Sequence, residues 1–171
     1  MKRFAMTMVV ATMCLAGAAR LYAAARFLRT EPVTGQPVVT DAKVGLMWQG
    51  CAAGQSGTAC ATGTADTSYP WQAALAYCEG LTWGGFSDWR LPNLTELISI
   101  VAMQQASPAI DPVAFPATPA VPSGCYWTSS PFGSGRNWCI DFQHGTTETI
   151  GDSGGPVGPA ALYVRCVRLG S

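Results

Sequence analysis

Histidine is almost missing from this chain: His144 is the only one in 171 residues. No two cysteines stand in a C-x-x-C pair, and no paired carboxylates or phosphate-binding glycine loop are visible. A zinc-type ligand set therefore has too few donors at the right spacing. Acid–base or phosphoryl chemistry lacks its usual constellation. Charged residues make up 12% of the chain, too sparse for the basic stripe that a nucleic acid or other polyanion requires. We therefore expect no metal, no cofactor, no nucleic-acid partner and no enzymatic activity.

What is present begins with a leader. Lys2 and Arg3 precede an apolar run from Phe4 to Ala19, followed by Ala23 and Ala25 at signal-peptidase spacing. The run is short for a membrane span of about 20 residues. Residues 1–25 thus read as a secretory signal peptide, with no stable membrane insertion after cleavage and a mature chain beginning near Arg26. Met13 before Cys14 is too large for a lipoprotein signal. Removing Lys2, Arg3 and Arg20 leaves 7 basic against 10 acidic side chains, a net charge of −3. It also leaves six cysteines, which in an exported chain read as disulfides. Cys51 and Cys60 are close enough in sequence to staple one loop. The other pairings stay open on spacing alone. The expected destination is periplasmic, cell-surface or extracellular.

Residues 26–36 read as a linker and 37–171 as one domain. "QPVVTDAKVGLMWQ" predicts a hairpin about "TDAK". The glycine-rich stretch from Gly50 to Ser68 predicts a loop. Trp71, Ala74, Leu75 and Cys78 mark one face of a first helix, with Ser68 as its cap and Gly80 at its end. Asn93 and Glu96 form a capping-box pattern for a second helix bearing Leu94, Leu97, Ile98 and Val101. That role accounts for Asn93 better than the glycosylation acceptor "NLT" does. Five prolines between Pro108 and Gly124 predict an extended surface connection. Short strands follow at "CYWTSS", "NWCIDFQ", "TTETI" and "LYVRCVRL". No internal repeat is visible. The segment "GDSGGPV" from Gly151 matches the surroundings of the nucleophilic serine in trypsin-like proteases. With no histidine upstream of His144, Ser153 has no base in that geometry, and ordinary turn chemistry explains the match.

The segments "GLMWQ", "WQAALAYCEGL", "GFSDWRLPNLTELISIV", "FP", "YWTSS", "WCIDFQHG" and "YVRCVR" occur in this order. Together they resemble the Lcl C-terminal domain family, named for a Legionella collagen-like adhesin, over about residues 38–169. "WQAALAYC" followed by "WRLPNLTEL" is also similar to formylglycine-generating-enzyme-like domains. Both groups are associated with C-type-lectin-like folds. The resemblance implies an α+β, C-type-lectin-like domain: two helices packed on short antiparallel sheets, with long loops and disulfides. It implies a tie between the first helix and the last strand, Cys78–Cys166. Cys125–Cys139 is then the pair left over, alongside Cys51–Cys60.

For function the resemblance implies a secreted, adhesion-type binding module for a glycan or cell-surface protein, with self-association left open. The candidate ligand loop is "SSPFGSGRNW", through Phe132, Arg136, Asn137 and Trp138. Against a surface role, Trp71, Trp127 and Trp138 sit on periodic faces, which favours core for each of them. Arg165 and Arg168 read as ion-pair partners of Asp88 or Glu96, or else as ligand contacts. Family members include adhesins for sulfated polysaccharides, an anionic ligand at odds with the −3 balance. The calcium-and-sugar signatures of C-type lectins are missing. A structural subunit of a surface or secretion assembly is the alternative. A formylglycine-generating-type enzyme is a further one, disfavoured because that chemistry needs reactive cysteines rather than bridged ones.

Overall fold

The computed structural model describes residues 25–105, 107–120, 124–151 and 162–170. Almost all of the leader, and Ser153 with the rest of its motif after Gly151, lie outside the described residues.

The chain opens with β1 (Phe27–Val33), β2 (Gln36–Asp41) and β3 (Leu46–Gln49). β2 and β3 form the expected hairpin, with Val39 opposite Trp48. β1 corrects the expected linker at 26–36: it pairs along β2 from Phe27↔Asp41 to Val33↔Gln36. Two of its inward positions are Arg29 and Glu31, so the sequence alternation does not read as hydrophobic. The Arg29 guanidinium donates to the carbonyls of Gly50, Thr58 and Ala114. Burial, and then the nearby Arg165 charge, lower its pKa.

The expected glycine-rich loop contains a minimal hairpin, β4 (Gln55–Ser56) and β5 (Thr62–Gly63). Then come α1 (Trp71–Glu79) and α2 (Leu94–Ser99). α1 buries Ala74 and Cys78. Its start is not capped by Ser68 as expected. Pro70 is the N-cap with no side-chain bond, and the Ser68 amide is held by Asp66 Oδ1 instead. Proline presets the φ that the entry needs, so the helix begins without a side-chain cap. α2 has its capping box: Asn93 Oδ1 accepts from the Glu96 amide, and Glu96 Oε2 accepts from the Asn93 amide. Such a cap contributes about 1 kcal/mol.

The proline-rich segment is not a surface connection. Ile110, Ala114 and Phe115 are buried, and Val101 and Ile110 form a β-bridge. Proline forbids a regular ladder, but it does not forbid burial when each polar backbone group finds its own partner. Here the Phe115 amide donates to the Asp111 carbonyl, and the Ala114 carbonyl accepts from Arg29.

β6 (Cys125–Gly133), β7 (Arg136–Asp141) and β8 (Thr146–Gly151) make a three-stranded antiparallel sheet. The closing strand, β9 (Val167–Leu169), joins the first sheet beside β3, giving the order β1-β2-β3-β9. Successive residues on these strands serve different cores. Val38, Met47, Trp127 and Cys139 belong to one cluster, with Trp83, Trp89 and the Cys78–Cys166 pair. Val39, Trp48, Tyr126 and Ile140 belong to the other, with Leu97, Phe115 and Phe142. The period-2 alternation of a strand places its two sides in two packed layers.

Among the described residues three disulfides are present: Cys51–Cys60, Cys78–Cys166 and Cys125–Cys139. These are the pairs expected from the sequence and its resemblance. Bridges of this kind belong to the oxidising compartments reached by export. No helix among the described residues is long and apolar enough to cross a membrane.

Two of the hairpins, β2–β3 and β7–β8, use one turn design, Asp-x-x-x-Gly. The Gly45 amide donates to the Asp41 carbonyl at 3.0 Å and the Gly145 amide to that of Asp141 at 2.8 Å. In each, the aspartate Oδ1 accepts from the amide two residues on. Each glycine has positive φ, +67° and +73°, where a side chain is strained. The remaining carboxylate oxygen goes to Arg26 in one turn and to His144 in the other.

Tyr126 is wholly buried, which pushes its phenol pKa up to about 12 against the opposing charge of Arg165. Between pH 10 and 12 the unfolded chain releases this proton and the folded chain keeps it. Stability should therefore be intact below pH 10 and fall as pH rises towards 12. The loss is about 2–3 kcal/mol by the usual 1.36 kcal/mol per unit. Urea unfolding of Tyr126→Phe beside the parent chain checks this. An equally steep alkaline decline in both would contradict the assignment.

Candidate functional site

The predicted ligand loop is the tip of the β6–β7 hairpin. The register shifts twice, between Trp127 and Pro131 and again between Pro131 and Gly133. Gly133, Ser134 and Gly135 all take positive φ. Such irregularities re-aim side chains at a strand end. Phe132 is 54% exposed. Its ring meets that of Trp138 edge-on, with centroids 5.0 Å apart and planes at 88°. Trp138 is half-buried rather than core, the reading its periodic face favoured. Trp127 is core, and Trp71 is half-buried on α1.

Arg136 is exposed, and its guanidinium donates to the Thr149 carbonyl on β8. Arg136 and Trp138 lie on one face of β7, and Thr149 stands opposite Trp138 in the register. Asn137 points the other way and is 2% exposed. The expectation that Asn137 contacts a ligand is therefore corrected. In an alternating strand it cannot share a face with both of its neighbours. The structure thus brings together Phe132, Arg136 and Trp138, and separates Asn137 from them.

The tip is braced from below. Thr128 Oγ1 donates to the Trp138 carbonyl at 2.8 Å, and Trp71 Nε1 donates to the Thr128 carbonyl at 2.8 Å. The Leu94 amide, at the start of α2, donates to Ser130 Oγ at 3.0 Å. Both helices therefore fix the hairpin that carries the aromatic pair. Sequence reading missed these braces and Thr149. The only signal for Thr149 is the two-residue alternation of "TTETI".

The two arginines near the C-terminus separate in role. Arg168 pairs with Asp88, Nε to Oδ1 at 2.6 Å, and lies over the Phe86 ring. Its hydrogen bond holds the Asp88 carboxyl below the usual range. The other expected acid, Glu96, pairs with Arg90. Arg165 has no carboxylate partner among the described residues, and as a wholly buried side chain it is no ligand contact either. Its Nη atoms donate to the Gln49 carbonyl at 2.9 Å and to Thr118 Oγ1 at 3.0 Å. The lone histidine, His144, sits in the β7–β8 turn with Nδ1 2.7 Å from Asp141 Oδ2.

Comparison with known proteins gives one family. The model of the Lcl C-terminal domain matches residues 37–168. No curated protein matches the chain. The match takes in both helices, all three disulfides and the aromatic hairpin, and it spans most of the 171 residues. The chain belongs to the Lcl C-terminal domain family.

Proposed function

We propose that this chain is an exported, non-catalytic binding module of C-type-lectin-like build. It recognises a glycan or a protein surface through the β6–β7 tip. The carrying observation is the pair of exposed Phe132 and half-buried Trp138, held on a hairpin braced by both helices, with Arg136 on the same sheet face. Aromatic rings and arginine are the side chains that dominate recognition surfaces. Holding them on a braced strand pair lowers the ordering cost of binding. The family is associated with adhesins, which supports attachment rather than turnover.

Phe132→Ser and Trp138→Ala test the reading. Each should weaken attachment on glycan arrays or to host-cell surfaces by about tenfold or more. Phe132→Ser should leave thermal unfolding unchanged, because the ring is more than half exposed. Attachment that survives both substitutions at full strength would refute the assignment.

A further inference from the structure

A cleft of about 700 Å³ lies between β1, the end of α2 and the proline-rich segment. It shares no residue with the aromatic tip, and its size falls within the range of small-ligand sites, about 300–1,000 Å³. Its walls divide into groups already used and groups still free. Arg29 is used: Nη1 and Nη2 make four contacts, to the carbonyls of Gly50, Ala114 and Thr58 and to Cys60 Sγ. Arg26 is partly used. Its Nε and Nη2 hold Asp41 and the Ser99 carbonyl, while Nη1 has no protein partner among the described residues. Asp111 spends Oδ1 on the amides of Val113 and Ala114, and its Oδ2 makes no hydrogen bond to described residues. The carboxamides of Gln104 and Gln105 are exposed and make no hydrogen bond to described residues.

The free groups at the cleft are thus one guanidinium edge, one carboxylate oxygen and two carboxamides. They stand beside the apolar surface of Val101 and Val113. Neutral hydroxyl groups fit this mixed set of donors and acceptors, because each donates and accepts at once. A neighbouring pair of hydroxyls can then satisfy both atoms of a carboxamide, or a carboxylate oxygen and a guanidinium. The C–H face of a sugar ring suits the valines.

We propose that this cleft is a second binding site, for the neutral polyhydroxylated end of a glycan chain. The test is an NMR titration of the ¹⁵N-labelled mature chain. The probes are methyl glycosides of the common hexoses, N-acetylhexosamines and deoxyhexoses, with a neutral tripeptide amide as the competing chemistry. The expected result is saturable shifts at amides 27–29, 100–105, 111, 113 and 114 with at least one glycoside. A Gln104→Leu/Gln105→Leu pair, and separately Asp111→Asn, should weaken that binding about fivefold or more. Asp111→Asn keeps the Oδ1 acceptor, and the glutamines are exposed, so thermal unfolding should not move. Phe132→Ser should leave cleft binding unchanged, which keeps this result separate from the fate of the aromatic tip. The proposal is overturned if no glycoside shifts the cleft amides, if shifts appear only at 131–138, if the tripeptide amide alone binds, or if the glutamine pair leaves affinity intact.

Discussion

Replacing Cys78 and Cys166 together by alanine is expected to cost about 4–5 kcal/mol, the largest loss of any disulfide removal in this chain. The bridge spans 88 residues, against 14 for Cys125–Cys139 and 9 for Cys51–Cys60. On the chain-entropy model those loops correspond to about 4.5, 3 and 2.5 kcal/mol. A domain of this size has about 5–15 kcal/mol in all. Opening the long loop therefore removes a large share of it. Both cysteines are also fully buried in the cluster with Trp83, Trp89 and Trp127, so truncation adds a packing defect. The short bridge is not the trivial one that its glycine-rich surroundings suggest. Cys51 and Cys60 are themselves buried, and Arg29 contacts the Cys60 sulfur, so its removal should cost more than its loop length alone implies. Urea midpoints of the three alanine pairs give the ranking. A Cys78/Cys166 pair no less stable than the Cys125/Cys139 pair would contradict it.

Arg165→Ala is expected to destabilise the domain by about 3–5 kcal/mol. The side chain is wholly buried and bridges parts of the chain far apart in sequence. It reaches the Gln49 carbonyl and Thr118 Oγ1, and its guanidinium lies 4.9 Å from the Phe115 ring centroid and 5.9 Å from that of Tyr126. Alanine leaves a cavity where these elements meet. No carboxylate would be stranded, so the heavy penalty of an orphaned buried partner charge is absent. Arg165→Met should then recover most of the packing, leaving a cost of about 1–2 kcal/mol for the unsatisfied Gln49 carbonyl. Lysine should do worse than methionine, because it carries the charge in without the flat fork that bridges two acceptors. Urea unfolding at constant slope measures all three. An alanine variant within about 1 kcal/mol of the parent would place the anchor elsewhere.

Much of this architecture was readable in the sequence because the signals were local. Asn93 and Glu96 stand three apart at the head of an apolar run, and cap geometry depends on nothing farther away. The β2–β3 hairpin announces itself in the same way. β1 did not, since Arg29 and Glu31 occupy inward positions and look like solvent-facing residues until the carbonyls around Arg29 are assembled. Ile110 and Phe115 were hidden by the prolines around them, which speak about backbone regularity and not about depth. Arg165 looked like the partner of an acid because arginine usually is. The residues that solvate it instead lie 116 and 47 positions away. In the candidate site, the aromatic pair was legible from composition. Asn137 was misplaced because it was grouped with Arg136 and Trp138 as a ligand contact, although the alternation of "NWCIDFQ" already turns it away from Trp138. The cleft was invisible because three separate segments build it.

The cysteine order along the chain has a consequence for how the molecule is made. Cysteines that pair as soon as their successors emerge would give Cys51–Cys60, then Cys78–Cys125, then Cys139–Cys166. Only the first is native. The native Cys78–Cys166 bridge encloses Cys125–Cys139 whole, so Cys78 must wait while two other thiols pass it. Its partner Cys166 comes last of the bridged cysteines, and the strand that follows, β9, completes the first sheet. The native Cys78 bridge therefore cannot close before Cys166 is available. Any early Cys78–Cys125 crosslink has to be reopened by thiol–disulfide exchange. Such reshuffling takes seconds to hours, depending on oxidant and isomerase. A host compartment with an oxidant but no isomerase should accumulate scrambled chains that are soluble, fully oxidised and unable to fold.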